Sequence, residues 1–90
     1  MKGWHKQQNV FVNRPLWTRL VGERTLSVLE ISDEEYSAYA NGGKESFPLY
    51  NGWNGLNATP WTNPQDAAKA LMDRERQRAL RILADLEDPE

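Results

Sequence analysis

Residues 63–86 constrain this chain more than any other stretch. They contain no glycine, and their single proline, Pro64, stands where a helix begins. Asn63 is a good N-cap, Pro64 suits the first helical position, and Asp66 complements the helix dipole in the first turn. The next helix breaker is Pro89. The spacing predicts one helix of about 23 residues, roughly 35 Å long at ~1.5 Å per residue. A compact domain of 90 residues has a radius of gyration of only ~12 Å. Such a helix must either wrap the body or extend beyond it.

The apolar residues of this helix fall into two groups. Ala67, Ala68, Ala70, Leu71 and Met72 form the first, and Ala79, Leu80, Ile82, Leu83, Ala84 and Leu86 the second. Six polar residues separate them, from Asp73 to Arg78. A sustained coiled coil needs apolar residues through such a waist, so a long continuous one is not expected. Pairs such as Asp73 with Arg76, Glu75 with Arg78, and Arg81 with Asp85 support a helix by only ~0.2–0.5 kcal/mol each. Fully burying a Leu or Ile is worth ~1.5–3 kcal/mol. The second group therefore demands a surface, either the domain's own sheet or a partner chain. The waist marks where the helix leaves the body.

The first half reads as extended chain. Residues 8–12 and 16–21 form candidate strands, separated near Pro15, which lacks an amide donor and belongs at a strand start or edge. Gly22 and Glu23 suit a hairpin turn. In residues 25–31 the alternation slips after Val28: Leu26 and Val28 share one face, Leu29 and Ile31 the other. Either both faces are covered or a bulge intervenes. Ser32, Asp33, Glu34 and Glu35 have the form of a capping box, which predicts a short helix over 33–40 ended by Gly42 and Gly43. Residues 46–50 are a further edge strand marked by Pro48. Two Asn-Gly steps follow, at Asn51 and Asn54, in a loop that Trp53, Leu56 and Trp61 are expected to pin to the core.

The fold class expected is α+β: a single domain over residues 1–90 with a small antiparallel sheet of two to four strands, a short central helix, a long C-terminal helix over 63–86 and an acidic tail over 87–90. Four Trp, three Tyr and two Phe supply much of the core, with Phe11 and Trp17 assigned to it.

Catalytic patterns are missing from the sequence. There is no Cys and one His. A thiolate site, a disulfide and a multi-histidine metal site within one chain are thereby excluded. His5 falls in an N-terminal segment expected to fray. No glycine-rich phosphate loop occurs, and no spacing selects a carboxylate pair for acid–base work. No cofactor is implied. Apolar runs reach only three residues, against the ~20 needed to span a bilayer. With no signal-like N-terminus, a cytoplasmic protein without membrane contact is expected.

Charge is unevenly placed. Residues 1–30 hold five basic and two acidic side chains, and residues 31–90 hold six basic and eleven acidic. The basic side chains Lys2, Lys6, Arg14, Arg19 and Arg24 lie among Trp4, Phe11 and Trp17, a combination that can hold phosphates and stack bases. That is the nucleic-acid alternative.

The stretch Ile31, Ser32, Asp33, Glu34, Glu35 and Tyr36, followed by Gly42, resembles the helix opening of some small phage tail-assembly proteins. The likeness spans residues 31–42 and carries no residue roles with it. The wider profile, small, cysteine-free and aromatic-rich, is similar to phage or prophage accessory proteins that act by binding a host component. The expected function is a non-enzymatic protein-binding module, an inhibitor or assembly factor, whose partner is another protein or a second copy of the chain. The contact candidates are Trp53, Arg74, Arg78, Ile82, Leu83 and Leu86.

Overall fold

The computed structural model describes residues 1–52 and 59–87. Among these the chain forms a five-stranded antiparallel sheet in simple meander order, followed by one helix. The strands are β1 (His5–Asn9), β2 (Arg14–Val21), β3 (Arg24–Ser32), β4 (Glu35–Gly42) and β5 (Glu45–Leu49), and the helix is α1 (Pro64–Glu87). The α+β class stands. The expected two to four strands become five, and the expected short central helix is absent from the described residues.

That helix is corrected to strand β4. Its residues alternate with a period of two. Tyr36, Ala38 and Ala40 turn to one face, and Ser37, Tyr39 and Asn41 to the other, as their cross-strand partners require. The capping-box letters instead build a hairpin. Ser32 pairs with Glu35, Ser32 Oγ donates to Glu35 Oε1, and Glu34 takes a left-handed φ of 63°. Serine and acidic residues satisfy local backbone and side-chain donors equally well in turns and at helix starts. The letters alone do not separate the two.

The other turns follow backbone chemistry. Gly22 and Gly43, with φ of 60° and 64°, each take the first central position of a two-residue hairpin, where positive φ is needed. The expected strand over 8–12 shifts N-terminally to β1. Residues 10–13 are a turn in which Asn9 Oδ1 accepts from the amides of Phe11 and Val12. The N-terminal segment is not frayed. His5 opens β1, and Met1 and Trp4 pack against the core. The register is regular through Val28 and Leu29, where the alternation slips; the irregularity in β3 lies instead between Glu30 and Ser32, which leaves Ile31 as the extra residue.

Cross-strand partners set the face that α1 covers. Trp17, Val28, Ala38 and Leu49 form one row across β2 to β5, and Arg19, Leu26, Ala40 and Phe47 the next. Leu26, Val28, Ala38 and Ala40 are buried there against Ala67, Ala68 and Leu71 of α1. Small side chains on both layers let the helix sit close to the sheet. α1 packs on β3 and β4. Its N-cap is the expected one: Asn63 Oδ1 accepts from the amide of Gln65 at 2.8 Å. Just before it, Trp61 pairs with Tyr36 through two backbone hydrogen bonds, and its indole Nε1 donates to Leu49 O at 3.0 Å. Trp61 thus holds the start of the helix over the sheet, as a core-pinning residue should.

Candidate functional site

The direction of α1 produces the site. From Trp61, the helix crosses the two buried rows and reaches the hairpin ends at Gly22 and Gly43, where Glu75, Arg78 and Ala79 border a hollow with Arg24 and Gly42. It then continues past the sheet. Leu80, Ile82, Leu83 and Leu86 are 52%, 44%, 52% and 77% exposed, and every residue of α1 from 76 onward is exposed. The overhang is about nine residues, roughly 13 Å at ~1.5 Å per residue. It makes the molecule long, 50 × 29 × 26 Å, with a radius of gyration of 14.4 Å. About half or more of each of these side chains is left open, and of the four Ile82 borders a groove shared with the sheet residues Arg24 and Phe47.

The polar waist proves to be the last point of attachment. Glu75 is buried at 7% exposure, with its Oε1 3.2 Å from Arg24 Nε. The contact is ionic more than directional: Arg24 Nε and Glu75 Oε2 have no hydrogen-bond partner. The expected Glu75–Arg78 pair does not form among the described residues, because Glu75 turns inward to Arg24. Asp73 and Arg76 do pair, at 2.9 Å. The Arg24 guanidinium also lies over the Phe47 ring, 4.3 Å from its centroid. Gly42 leaves room for this stack, since a Cβ there would come within 3.3 Å of Arg24 Cγ.

Arg74 is committed to the fold. Its Nη1 donates to Pro48 O at 3.0 Å and its Nη2 to Phe47 O at 2.7 Å, tying the edge strand β5 to the helix. Burial lowers its affinity for its proton, the neighbouring Arg24 lowers it further, and Glu75 opposes both. Arg24 thus holds the ion pair with Glu75, and the partly buried Arg74 lies near enough to feel both charges. Arg78 and Arg81 border the same groove of about 460 Å³ with Arg24, Phe47, Arg74 and Ile82. Among the described residues neither has an ion-pair partner.

Of the contact candidates, Arg78, Ile82, Leu83 and Leu86 therefore come together on the overhang. Arg74 stands beside them as a clamp. Trp53 lies outside the described residues, as does Leu56.

Two features escaped the sequence reading. Phe11, expected in the core, is 92% exposed, and with Val10 and Val12 it forms an apolar hairpin tip at the opposite end of the sheet from the overhang. The flanking Asn9 and Asn13 were the available turn signal. The second feature is a hollow of about 610 Å³ beside β4 and β5, lined by Ile31, Tyr36, Tyr39, Pro48, Tyr50 and Trp61 among others. Its one carboxylate, Glu35, is engaged by Ser32. The hollow draws residues from both faces of this sheet edge and offers apolar and phenolic surface, with no paired acid and base.

Part of the basic N-terminal third is used by the fold. Arg14 faces Glu30 and Asp33, Arg24 faces Glu75, and Trp4 and Trp17 pack against the core. Among the described residues no cluster of three or more His, Asp or Glu side chains is placed to hold a metal ion, and no helix is long and apolar enough to cross a membrane. A comparison of the chain with protein families, with curated proteins and with solved structures finds no match in any of the three.

Proposed function

We propose that this chain is a non-enzymatic protein-binding module, an inhibitor or assembly factor, whose binding element is the overhanging end of α1. One observation carries the reading: Ala79, Ile82, Leu83 and Leu86 lie at 3–4 spacing on a helix whose first half is anchored in the core, and all four are exposed among the described residues. Amphipathic helices presented in this way dock into apolar grooves through i, i+3, i+4 and i+7 anchors. The anchored half removes most of the ordering cost that a free peptide helix bears.

Magnitude adds a second requirement. Two half-exposed side chains, Ile82 and Leu83, and the more exposed Leu86 supply roughly 3–5 kcal/mol on full burial. Association costs at least ~4 kcal/mol in lost freedom. The apolar stripe needs help from the charges beside it, which brings Arg78 and Arg81 into the binding surface. The phage-type resemblance adds nothing, because its helix opening is a hairpin here.

The test compares proteins retained from an extract of the source cell by wild type and by an Ile82→Asp, Leu83→Asp variant. Circular dichroism first checks that both are folded. Loss of a retained protein, or of self-association, in the variant supports the reading. Equal retention by both overturns it. Binding of single- or double-stranded DNA that weakens steeply with salt favours the nucleic-acid alternative instead.

A further inference from the structure

We propose that the overhang of α1 binds a second copy of this chain, tail to tail and antiparallel, to form a two-fold symmetric dimer. This rests on the reading that the overhang is the binding element, and it names the partner.

The stripe of α1 that packs on the sheet and the stripe that overhangs are continuous. Ala68, Met72, Glu75, Ala79, Ile82 and Leu86 follow one another at alternating steps of four and three. Such steps keep side chains on one face of a helix. The first three meet the sheet, and the last three run on with Leu83 beside them. An antiparallel partner centred between Ile82 and Leu83 sets Ile82 of one copy against Leu83 of the other. It also sets Ala79 against Leu86, small against large. The same two-fold axis brings like flanks together. On one flank, Asp85 of each copy lies level with the gap between Arg78 and Arg81 of the other. On the opposite flank, Glu87 approaches Arg76. Arg78 and Arg81 are the two groove arginines without an ion-pair partner among the described residues. A parallel pair would instead bring opposite flanks together, with Arg78 near Arg76 and Asp85 near Glu87, like charge to like. Charges at flanking positions choose orientation in helix pairs, and here they choose antiparallel. The two sheets then lie at opposite ends.

Two overhangs of about nine residues bury less than the ~1,200 Å² of a standard interface, so the dimer belongs to the weak, concentration-dependent class. The experiment is sedimentation equilibrium of the full chain at low salt, from about 10 µM to about 1 mM, a range suited to micromolar association. Wild type is expected to move from monomer to dimer across this range. Asp85→Arg alone and Arg78→Glu, Arg81→Glu together are each expected to stay monomeric, since each turns the flank to one sign. An equimolar mixture of the two variants restores opposite signs and is expected to dimerise at least tenfold more tightly than either variant alone. Far-ultraviolet circular dichroism checks that α1 survives in both. Wild type that stays monomeric at the top concentration overturns the proposal. So does a wild-type dimer whose two variants do not recover on mixing. If wild type is monomeric while Ile82→Asp, Leu83→Asp still abolishes retention of a cellular protein, the second copy is refuted and the binding element stands.

Discussion

Glu75 is the residue at which a charged-looking stretch of sequence becomes part of the interior, and its removal tests the packing directly. In Glu75→Ala the Arg24 guanidinium, whose side chain is 11% exposed, loses its carboxylate while remaining pinned between Phe47 and Gly42. Arg74, beside it, loses the one charge that opposes Arg24. Breaking a buried pair from one side costs ~3–5 kcal/mol, because an uncompensated charge remains. The groove bordering Arg24 gives water some access, so the expected loss is near the bottom of that range, about 3 kcal/mol. For a domain of this size each kcal/mol shifts Tm by ~4–8 °C, so Tm should fall by roughly 12–24 °C. Replacing both partners, Arg24→Met with Glu75→Leu, removes the charges together. That pair should be within about 1 kcal/mol of wild type, or more stable. The assay is urea unfolding followed by tryptophan fluorescence, with the two singles and the double closing a thermodynamic cycle. A loss below about 1 kcal/mol for Glu75→Ala, or a double no better than the singles, would refute the claim that burial of this pair governs the waist.

Arg74→Met should cost about 2 kcal/mol, the scale of charge-assisted hydrogen bonds to the Phe47 and Pro48 carbonyls, and hydrogen exchange should show β5 losing protection before β2 and β3. Glu34→Gly should stabilise by about 0.5–1 kcal/mol in chemical denaturation, since glycine accepts the left-handed backbone that glutamate holds at a cost. Ala40→Leu, placed under Ala67, Ala68 and Leu71, should destabilise by at least ~1–3 kcal/mol by overpacking; a neutral result in the same assay would mean the helix does not sit close to the sheet. Phe11→Ala should leave Tm within about 4 °C, as a surface change of under ~0.5 kcal/mol implies, whereas a core phenylalanine would cost ~3–5 kcal/mol.

The elements most legible in the sequence were those with punctuation of one meaning. Asn63 and Pro64 open α1 where expected, and Gly22 turns the hairpin between β2 and β3. Pro48 sits in an edge strand for want of an amide. The error at residues 33–40 has a specific cause. Ser32 to Glu35 carry a helix-start signature, but Tyr36 to Asn41 alternate every second residue, and both patterns are short. The sheet decides, because β4 inserted between β3 and β5 satisfies its backbone donors and acceptors on both edges. Phe11 was misplaced for a related reason: hydrophobicity sets a preference for burial, while the Asn9 turn sets where the chain reverses, and the reversal leaves the ring outside. The exposure of Ile82, Leu83 and Leu86 was legible because nothing in the first half of the chain matched their demand for a surface. The internal task of Arg74 was not, since it depends on carbonyls 26 and 27 residues away.

The amino-acid sequence by itself determined that a single long helix closes the chain, that its apolar side chains come in two groups, and that no thiol or histidine cluster is available for chemistry. These follow from local propensity and composition, which need no partner in space. Only the tertiary structure decided how far along α1 the body reaches. A helix has no internal reason to end its packing at one turn or the next. The limit is set by the length of the strands, whose hairpins turn at Gly22 and Gly43, and by the buried Arg24–Glu75 contact at that end. Beyond it the same stripe continues without a floor, and the residues that the sequence marked as wanting a surface are the ones the fold leaves without one.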